Sequence, residues 1–385
     1  MRPLIGIAVI GLGWMGQAHS RSYRRIQSLF PDREGDPDLV VCADPVASRR
    51  LAATRDFGFA TATDDWRRAV DDPAVSLVIV AAPNALHLDV VTAAASAGKA
   101  VFCEKPVGGT PAQARSAALA AAGVTTGVGY NYRWAPMVRH AKSLIDAGRL
   151  GTITNYRGRF LSSYGSDPLG VLSWRFDVGQ GGYGASTDLL CHAVDLATHL
   201  LGPVTELVGS AATMIPERPL PSGAGTHFDR GRPDDPVGTV TNEDWTAALV
   251  RFAGGAVGMF EASRVSTGAD SQHAFEIDGT LGSLRWDLQR LNELDVRLAG
   301  DDGYTTVFGG ERFADHGAFA PGRANGIGFE DMICIEDHHF LDAVAAGRPF
   351  RPSLADAVAY ADVQDALIRS WASRRWETVT SGGPG

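Results

Sequence analysis

The sequence predicts an α/β protein in two parts: an N-terminal doubly wound parallel sheet, then a C-terminal α/β region built on a large, mainly antiparallel open sheet. Three observations carry this expectation. Through residue 128, short apolar runs alternate with longer helical ones, the order that a parallel sheet with crossover helices requires. After about residue 130, strand-like runs follow one another without intervening helices, separated by glycine pairs and charged turns that favour hairpins. Between the first strand and the first helix stands a glycine-rich turn, Gly11-Leu12-Gly13-Trp14-Met15-Gly16. At roughly 150 residues per domain the 385-residue chain has room for two to three domains. The change of pattern divides it into residues 1–128 and 129–385.

Residues 5–10 are apolar on both faces, as a central parallel strand is. A helix is expected over 15–29 and a second strand over 39–43. Helices follow over 48–56 and 64–70, the latter capped by Asp64 or Thr63. Strands at 75–81, 100–103 and 124–130, with helices at 86–97 and 111–122, complete the first part. In the second part a helix over 135–147 ends at Gly148, a strand covers 153–160, and a helix covers about 187–201. Strand runs then come at 205–214, 246–252, 256–263, 273–278, 282–287 and 293–298. Residues 216–244, rich in Pro, Gly and Asp, are long for a structureless loop and mark a lid, a contact arm or a disordered segment. Helices over 330–346 and 354–373 close the chain, the last expected to pack back toward the first domain.

Composition narrows the function. Hydrophobic residues at 45% and charged residues at 21% exclude a disordered chain, a collagen and a coiled coil. A net charge of −9 leaves no basic excess to neutralise phosphates, so no nucleic-acid partner is expected. No apolar run is long enough to span a bilayer, so no membrane partner is expected either. The apolar run at 3–16 is broken by glycines and lacks a small-x-small cleavage site, which argues against a secretion signal. The four cysteines, Cys42, Cys103, Cys191 and Cys334, show no metal-ligand spacing and read as free thiols in a reducing compartment, hence a cytoplasmic protein.

Three segments carry chemistry. In the GxGxxG turn, Gly11 allows the tight bend, Gly13 lets a pyrophosphate approach the backbone, and Gly16 lets helix and strand pack closely, while Trp14 and Met15 open the helix. A lone GxGxxG is weak, but placed between a strand and a helix it is a dinucleotide signal. The expected acidic residue is Asp44, 28 positions after Gly16 where roughly 20 is usual; the polar insert 31–38 accounts for the excess. Asp44 would bind an adenosine ribose and repel a 2′-phosphate, favouring NAD, while Arg49 and Arg50 leave room for NADP. Its bland alternative is a turn residue before Pro45. At the ends of the next strands stand Ala82-Pro83-Asn84 with His87, and Glu104-Lys105-Pro106, where ligands of such sheets bind. Left in isolation, Glu104-Lys105 would be a surface ion pair and His87 a helix-start residue. On the helix at 187–201, Asp188, His192, Asp195 and His199 fall within roughly 60° of one another, opposite Leu189, Leu190, Ala193, Ala197 and Leu200. They span about 16 Å and cannot converge on one metal ion, so no metal is assigned. A solvated polar face and acid–base catalysis remain as readings.

Taken together, these segments with Tyr130-Asn131-Tyr132-Arg133 resemble the Gfo/Idh/MocA family of pyridine-nucleotide oxidoreductases. Leu172-Ser173-Trp174-Arg175-Phe176 before a glycine-rich stretch is similar to its inositol and pyranose-sugar dehydrogenase branch. The resemblance spans nearly the whole chain. It implies a Rossmann domain and a dimer or tetramer built through the second sheet. It also implies a catalytic group of Lys105, Asp188 and His192 and a cyclic polyol substrate. Many relatives carry Asp-Leu-Gly-Ser-His where this chain has Asp188-Leu189-Leu190-Cys191-His192, so Leu190 and Cys191 are expected to reshape the pocket. Tyr132, Arg133, Asn155, Trp174 and Arg175 are the further candidates for contact with substrate. Two rival functions stand beside this one: a dinucleotide-binding sensor of the same fold, and a dehydrogenase of a nucleotide-sugar or amino-cyclitol. For the last, Arg218, Arg230 and Arg232 in the 216–244 segment are outnumbered by its acidic residues.

Overall fold

The structure, a computed structural model, describes residues 2–221 and 229–380. Its first sheet is assembled from β1 (Leu4–Ile10), α1 (Trp14–Leu29), β2 (Asp36–Ala43), α2 (Ala47–Ala52), β3 (Thr61–Thr63), α3 (Trp66–Asp71), β4 (Leu77–Val80), α4 (His87–Ser96), β5 (Ala100–Cys103), α5 (Pro111–Ala120) and β6 (Thr126–Val128). The six strands lie in the order β3-β2-β1-β4-β5-β6, all parallel. This is the doubly wound order whose ligand crevice opens at the carboxyl ends of the strands. β1, β4 and β5 are buried along almost their whole length, because helices cover both faces.

Local expectations change in three places. β2 begins at Asp36, so the insert is shorter than 31–38; Asp36 pairs with Leu4, and backbone pairing rather than an apolar pattern starts the strand. The edge strand β3 has no apolar alternation and gave no signal. α3 starts at Trp66, because the cap is Asp65, whose carboxylate accepts the Arg67 N–H, and neither Asp64 nor Thr63.

The second sheet follows α6 (Pro136–Asp146), with β7 (Ile153–Ser162), α7 (Val178–Gly181), α8 (Cys191–Leu201) and β8 (Val204–Ala212). Then come β9 (Glu217–Pro219), β10 (Val237–Thr239), β11 (Trp245–Phe252), β12 (Val257–Ser263), β13 (Ser271–Gly279), β14 (Gly282–Asp287), β15 (Glu293–Leu298) and β16 (Thr305–Phe308). The chain closes with α9 (Phe329–Ala345), α10 (Leu354–Ser373) and β17 (Glu377–Thr378). The nine-stranded order is β16-β15-β14-β13-β7-β12-β11-β8-β17. Every neighbouring pair is antiparallel except β7 and β12, because β7 enters the centre of the sheet ahead of the meander. One face packs on helices, with Tyr156 and Phe160 of β7 buried there. The other face shows Leu249, Val257 and Met259 to solvent at 54%, 45% and 40% exposure.

Residues 216–244 are in part an arm: β9 and β10 pair as a two-stranded ribbon laid against residues 165–172, with residues 222–228 outside the described set. Arg218, one of the three arginines of this segment, is buried and donates to the Gly165 and Asp167 carbonyls, its guanidinium 4.0 Å over Phe176. It holds the arm down. The closing helices pack back on the first sheet. α9 lies along α1, with Ile335, Phe340 and Leu341 in the same core as Ile7 and Phe102. α10 lies on α5, and the Val128 N–H donates to the Pro352 carbonyl at 3.0 Å. Each buried large apolar side chain contributes about 1.5–3 kcal/mol. Exposed ion pairs such as Arg21–Glu330 contribute about 0–1, so apolar burial dominates this docking. Among the described residues no helix is long and apolar enough to cross a membrane.

Candidate active site

The turn after β1 is shaped for an anion. Gly11 has φ of 91° and donates its N–H to the Ala43 carbonyl at 2.8 Å, a conformation that suits glycine. A Cβ on Gly16 would lie 1.8 Å from the Gly11 carbonyl oxygen, so helix and turn are in contact. A Cβ on Gly13 would meet nothing within 4 Å. α1 begins there with no side-chain cap and no acidic residue in its first turn, which leaves its N–H donors to a ligand. Trp14 is 65% exposed and stacks on Phe329 at 5.1 Å; Met15 is half-buried beside it. Asp44, buried at the end of β2, accepts the Leu12 N–H on Oδ2 and the Val46 N–H on Oδ1, both at 2.8 Å. Each oxygen keeps a lone pair for a ribose hydroxyl. Arg49 Nη1 lies 3.5 Å from Asp44 Oδ2, and Arg50 donates to the Asp44 carbonyl.

Ala82 and Pro83 follow β4 at the rim of the same crevice. Asn84 is buried and its amide donates to the Gly181 carbonyl at 3.0 Å, tying the first sheet to the end of α7. His87, counted above among cofactor contacts, is buried with Nε2 on the Ala82 carbonyl and Nδ1 on the Pro106 carbonyl, both 2.8 Å. Burial pushes the ring below its ordinary value, so one nitrogen donates and the other only abuts its carbonyl; the ring packs between two rim loops with both nitrogens against backbone. Glu104 is likewise turned inward, onto His19 Nε2 at 2.9 Å.

Lys105, Asp188 and Tyr164 form one cluster. Lys105 Nζ donates to the Asp188 carbonyl at 2.8 Å and to Oδ1 at 3.0 Å, leaving its third proton free. Tyr164 donates to Asp188 Oδ2 at 2.9 Å, and Arg175 Nε lies 3.8 Å from the same oxygen. Arg175 also stacks 4.3 Å over Trp174. Burial disfavours both charges, but each outweighs it for the other: Asp188 holds the Lys105 ammonium above its ordinary value, and Lys105 with Arg175 holds the Asp188 carboxyl well below the carboxylate range. Cys191 is fully buried against the Asp188 carbonyl, and burial pushes its thiol up to about 12.

His192 is buried among aromatic rings. Tyr132 stands edge-to-face at 4.7 Å, Phe160 lies at 5.7 Å, and His273 at 6.1 Å. Its Nδ1 is buried with no hydrogen-bond partner, which leaves Nε2 as the nitrogen toward the crevice. Burial first, then Lys105 and His273, pushes the imidazole well below its ordinary 6.5, so the ring is neutral.

The regular helical face expected over 188–199 does not exist as one face. Residues Ser186–Leu190 form a widened π turn ahead of α8, a feature common at functional sites. Asp188 therefore turns to Lys105 and does not bond His192. Asp195 is buried in a bidentate pair with Arg133, at 2.6 and 2.9 Å. This pair removes Arg133 from the substrate contacts; the two neutralise each other, and Arg133 lines a separate cavity of about 510 Å3 with His199 and Trp134. Asn155 is also corrected: it lies on the outer face of the second sheet with Leu249 and Met259, since successive side chains of β7 alternate and Tyr156 takes the inner face. Leu190 is core rather than pocket wall.

Sequence reasoning missed the residues that hold the π turn. Glu243 accepts the Gly184 and Ser186 N–H groups at 2.9 and 2.8 Å, a carboxylate at a helix start. Gln364 donates to Thr187 Oγ1 at 2.8 Å, and Tyr360 donates to the Ser186 carbonyl. Phe160 and His273 come from the second sheet and Tyr164 from the turn after β7, and none carries a local motif. Among the described residues no three His, Cys, Asp or Glu side chains are grouped to hold a metal.

Comparison with known proteins bears on this geometry. Residues 5–131 match the family described as "Oxidoreductase family, NAD-binding Rossmann fold", and residues 138–285 match the "GFO/IDH/MocA C-terminal domain". The levoglucosan dehydrogenase of Pseudarthrobacter phenanthrenivorans is 36% identical over 97% of this chain and 98% of its own. The inositol 2-dehydrogenase of Rhizobium meliloti is 26% identical over 96% and 98%. The solved levoglucosan dehydrogenase in complex with NADH and levoglucosan superposes with a TM-score of 0.92 at 35% identity, covering 98% of this chain and 99% of that one.

Proposed function

Because the chain belongs to the GFO/IDH/MocA family of oxidoreductases, we propose that it is an NAD-dependent dehydrogenase oxidising a ring CH–OH of a cyclic polyol, a pyranose sugar or an inositol. The observation that carries this reading is the meeting of Lys105, which follows β5 of the first sheet, with Asp188, one turn before the buried His192, together with a glycine turn after β1 with room for a pyrophosphate. The division into a cofactor domain, 1–128, and a substrate and oligomerisation domain, 129–385, belongs to the same reading. So does a cytoplasmic setting, which four buried, unpaired cysteines fit.

When bound, the nicotinamide supplies the hydride acceptor. The α1 N-terminus and Gly13 hold the pyrophosphate, and Asp44 the adenosine ribose. His192 Nε2 takes the hydroxyl proton as the C–H bond gives up its hydride. The free Lys105 proton bonds the same oxygen and stabilises the negative charge that develops there. Asp188 fixes the ammonium for this task, and Trp174, Arg175 and Tyr132 wall the pocket.

Asp44 decides the dinucleotide, since a buried carboxylate repels a 2′-phosphate. Asp44→Ser is expected to raise kcat/KM for NADP relative to NAD by at least about tenfold, equivalent to roughly 1.4 kcal/mol. Initial rates with each cofactor check it; an unchanged ratio counts against the assignment.

The outer face of the second sheet, with Leu249, Val257 and Met259 exposed, is the surface through which copies of the chain associate in this reading. Leu249→Arg is expected to reduce the mass measured by light scattering to that of a monomer. Wild type already monomeric at micromolar concentration would remove the proposal.

The function itself is tested by a panel of anhydro-sugars, pyranoses and inositols, scored by formation of reduced NAD. Firm NAD binding without turnover on any of them would favour the sensor reading.

A further inference from the structure

Beneath the turn that carries Lys105, a histidine is enclosed by carboxylates. His19 lies on α1, three residues past Gly16, and is fully buried. Its Nε2 is 2.9 Å from Glu104 Oε1, and its Nδ1 is 2.9 Å from both oxygens of Asp337 on α9. A neutral imidazole has one N–H and one lone pair, whereas an ionised carboxylate only accepts. With both carboxyl groups ionised, a neutral ring would set lone pair against lone pair on one side. Two donors satisfy both contacts.

The same carboxylate reaches the catalytic lysine. Glu104 Oε2 accepts the Lys105 backbone N–H at 3.2 Å. Glu104 has little room to move, since a Cβ on Gly129 would already lie 2.8 Å from its carboxyl group. Tilting Glu104 therefore tilts the peptide from which Lys105 extends.

We propose that His19 stands as an imidazolium bridging Glu104 and Asp337 and acts as a positioning residue for Lys105, a role that rests on the dehydrogenase reading above. The bridge ties together the helix that begins at the pyrophosphate turn, the turn after β5 and the helix α9. Glu104 is thus a strut under the site. The other titratable groups around the bridge are Glu336 on α9, near His19, and Tyr23 on α1 and Cys334 on α9, near Asp337. Burial pushes all three up, and neighbouring carboxylates add to it, which disfavours their charged forms. Burial works against a charged His19 and also raises the Asp337 carboxyl; the contact between them opposes both, and Asp337 with Glu104 holds the ring well above its ordinary value. A raised histidine stabilises the fold below its unfolded value, and that contribution is lost as pH rises through the folded one.

Two readouts test the proposal, the first without any turnover. In the apo-protein labelled with 15N-histidine, the ring signal that His19→Gln removes should show both nitrogens protonated to well above pH 6.5. A single-proton tautomer at neutral pH overturns the bridge whatever the enzyme does. In steady-state rates, His19→Ala and Glu104→Ala should lower kcat about tenfold or more with KM for NAD within about threefold, because misplacing a reacting group by about 1 Å costs up to about a hundredfold. Glu104→Gln should fall by less than Glu104→Ala, since its amide donates to a neutral His19 while its oxygen still accepts the Lys105 N–H. It should also flatten the alkaline decline in Tm. Folded His19→Ala with wild-type kcat overturns the positioning role. If His19→Ala does not fold, equal rates for Glu104→Gln and Glu104→Ala do so.

Discussion

His192→Ala is expected to lower kcat by about a hundredfold or more, the usual contribution of a positioned general base, with affinity for NAD little changed. The ring sits against Tyr132 and Phe160, with no polar partner on Nδ1, and lies on α8 rather than on the glycine turn, so its loss is expected to remove chemistry and leave cofactor binding alone. The pH profile carries a second expectation. A base works while neutral, and burial together with Lys105 and His273 pushes His192 well below 6.5. The acid limb of kcat therefore lies below the ordinary histidine range, and the enzyme keeps its base at pH values where an exposed histidine would be protonated. An acid limb centred at 6.5 would contradict this account of the pocket.

Lys105→Met is the second large effect. It removes the donor aimed at the developing oxyanion, and loss of one such donor costs about a hundredfold to a thousandfold in kcat. It also strips Asp188 of its main counter-charge, so burial then raises that carboxyl. Because Lys105 is one of the groups depressing His192, the acid limb of the residual activity should move to higher pH. A lysine serving only as a structural partner of Asp188 would lower Tm and leave kcat within a few-fold of wild type. Arginine at this position is not an equivalent, since its planar fork cannot place one proton between the Asp188 carbonyl and substrate as a compact ammonium does.

Much of this site was legible because its signals are local. Gly11, Gly13 and Gly16 lie between a strand and a helix, and Asp44, Asn84 and Lys105 each follow a buried strand, so alternation alone puts them on one edge of the parallel sheet. The helix carrying Asp188 and His192 was legible as chemistry but not as geometry. A regular period of 3.6 put four groups on one face, and the π turn at Ser186–Leu190 separates them. That turn is held by Glu243, Tyr360 and Gln364, from segments far along the chain. Arg133 was misplaced for the same reason: nothing near it in sequence announces Asp195, 62 residues away. Asn155 was misplaced by parity, one residue from the inward-facing Tyr156. The His19 bridge to Asp337 spans 318 residues and has no local trace at all.

The most direct test of the central claim follows a sugar or inositol deuterated at the oxidised carbon through a single turnover with NAD, in wild type and His192→Ala. The account predicts deuterium on the nicotinamide C4 of the reduced cofactor in wild type. In His192→Ala it predicts the same label, formed about a hundredfold or more slowly at unchanged NAD affinity. Label transfer at the wild-type rate in His192→Ala would contradict the role given to this residue. Tight NAD binding with no transfer to the cofactor from any cyclic polyol would contradict the dehydrogenase itself.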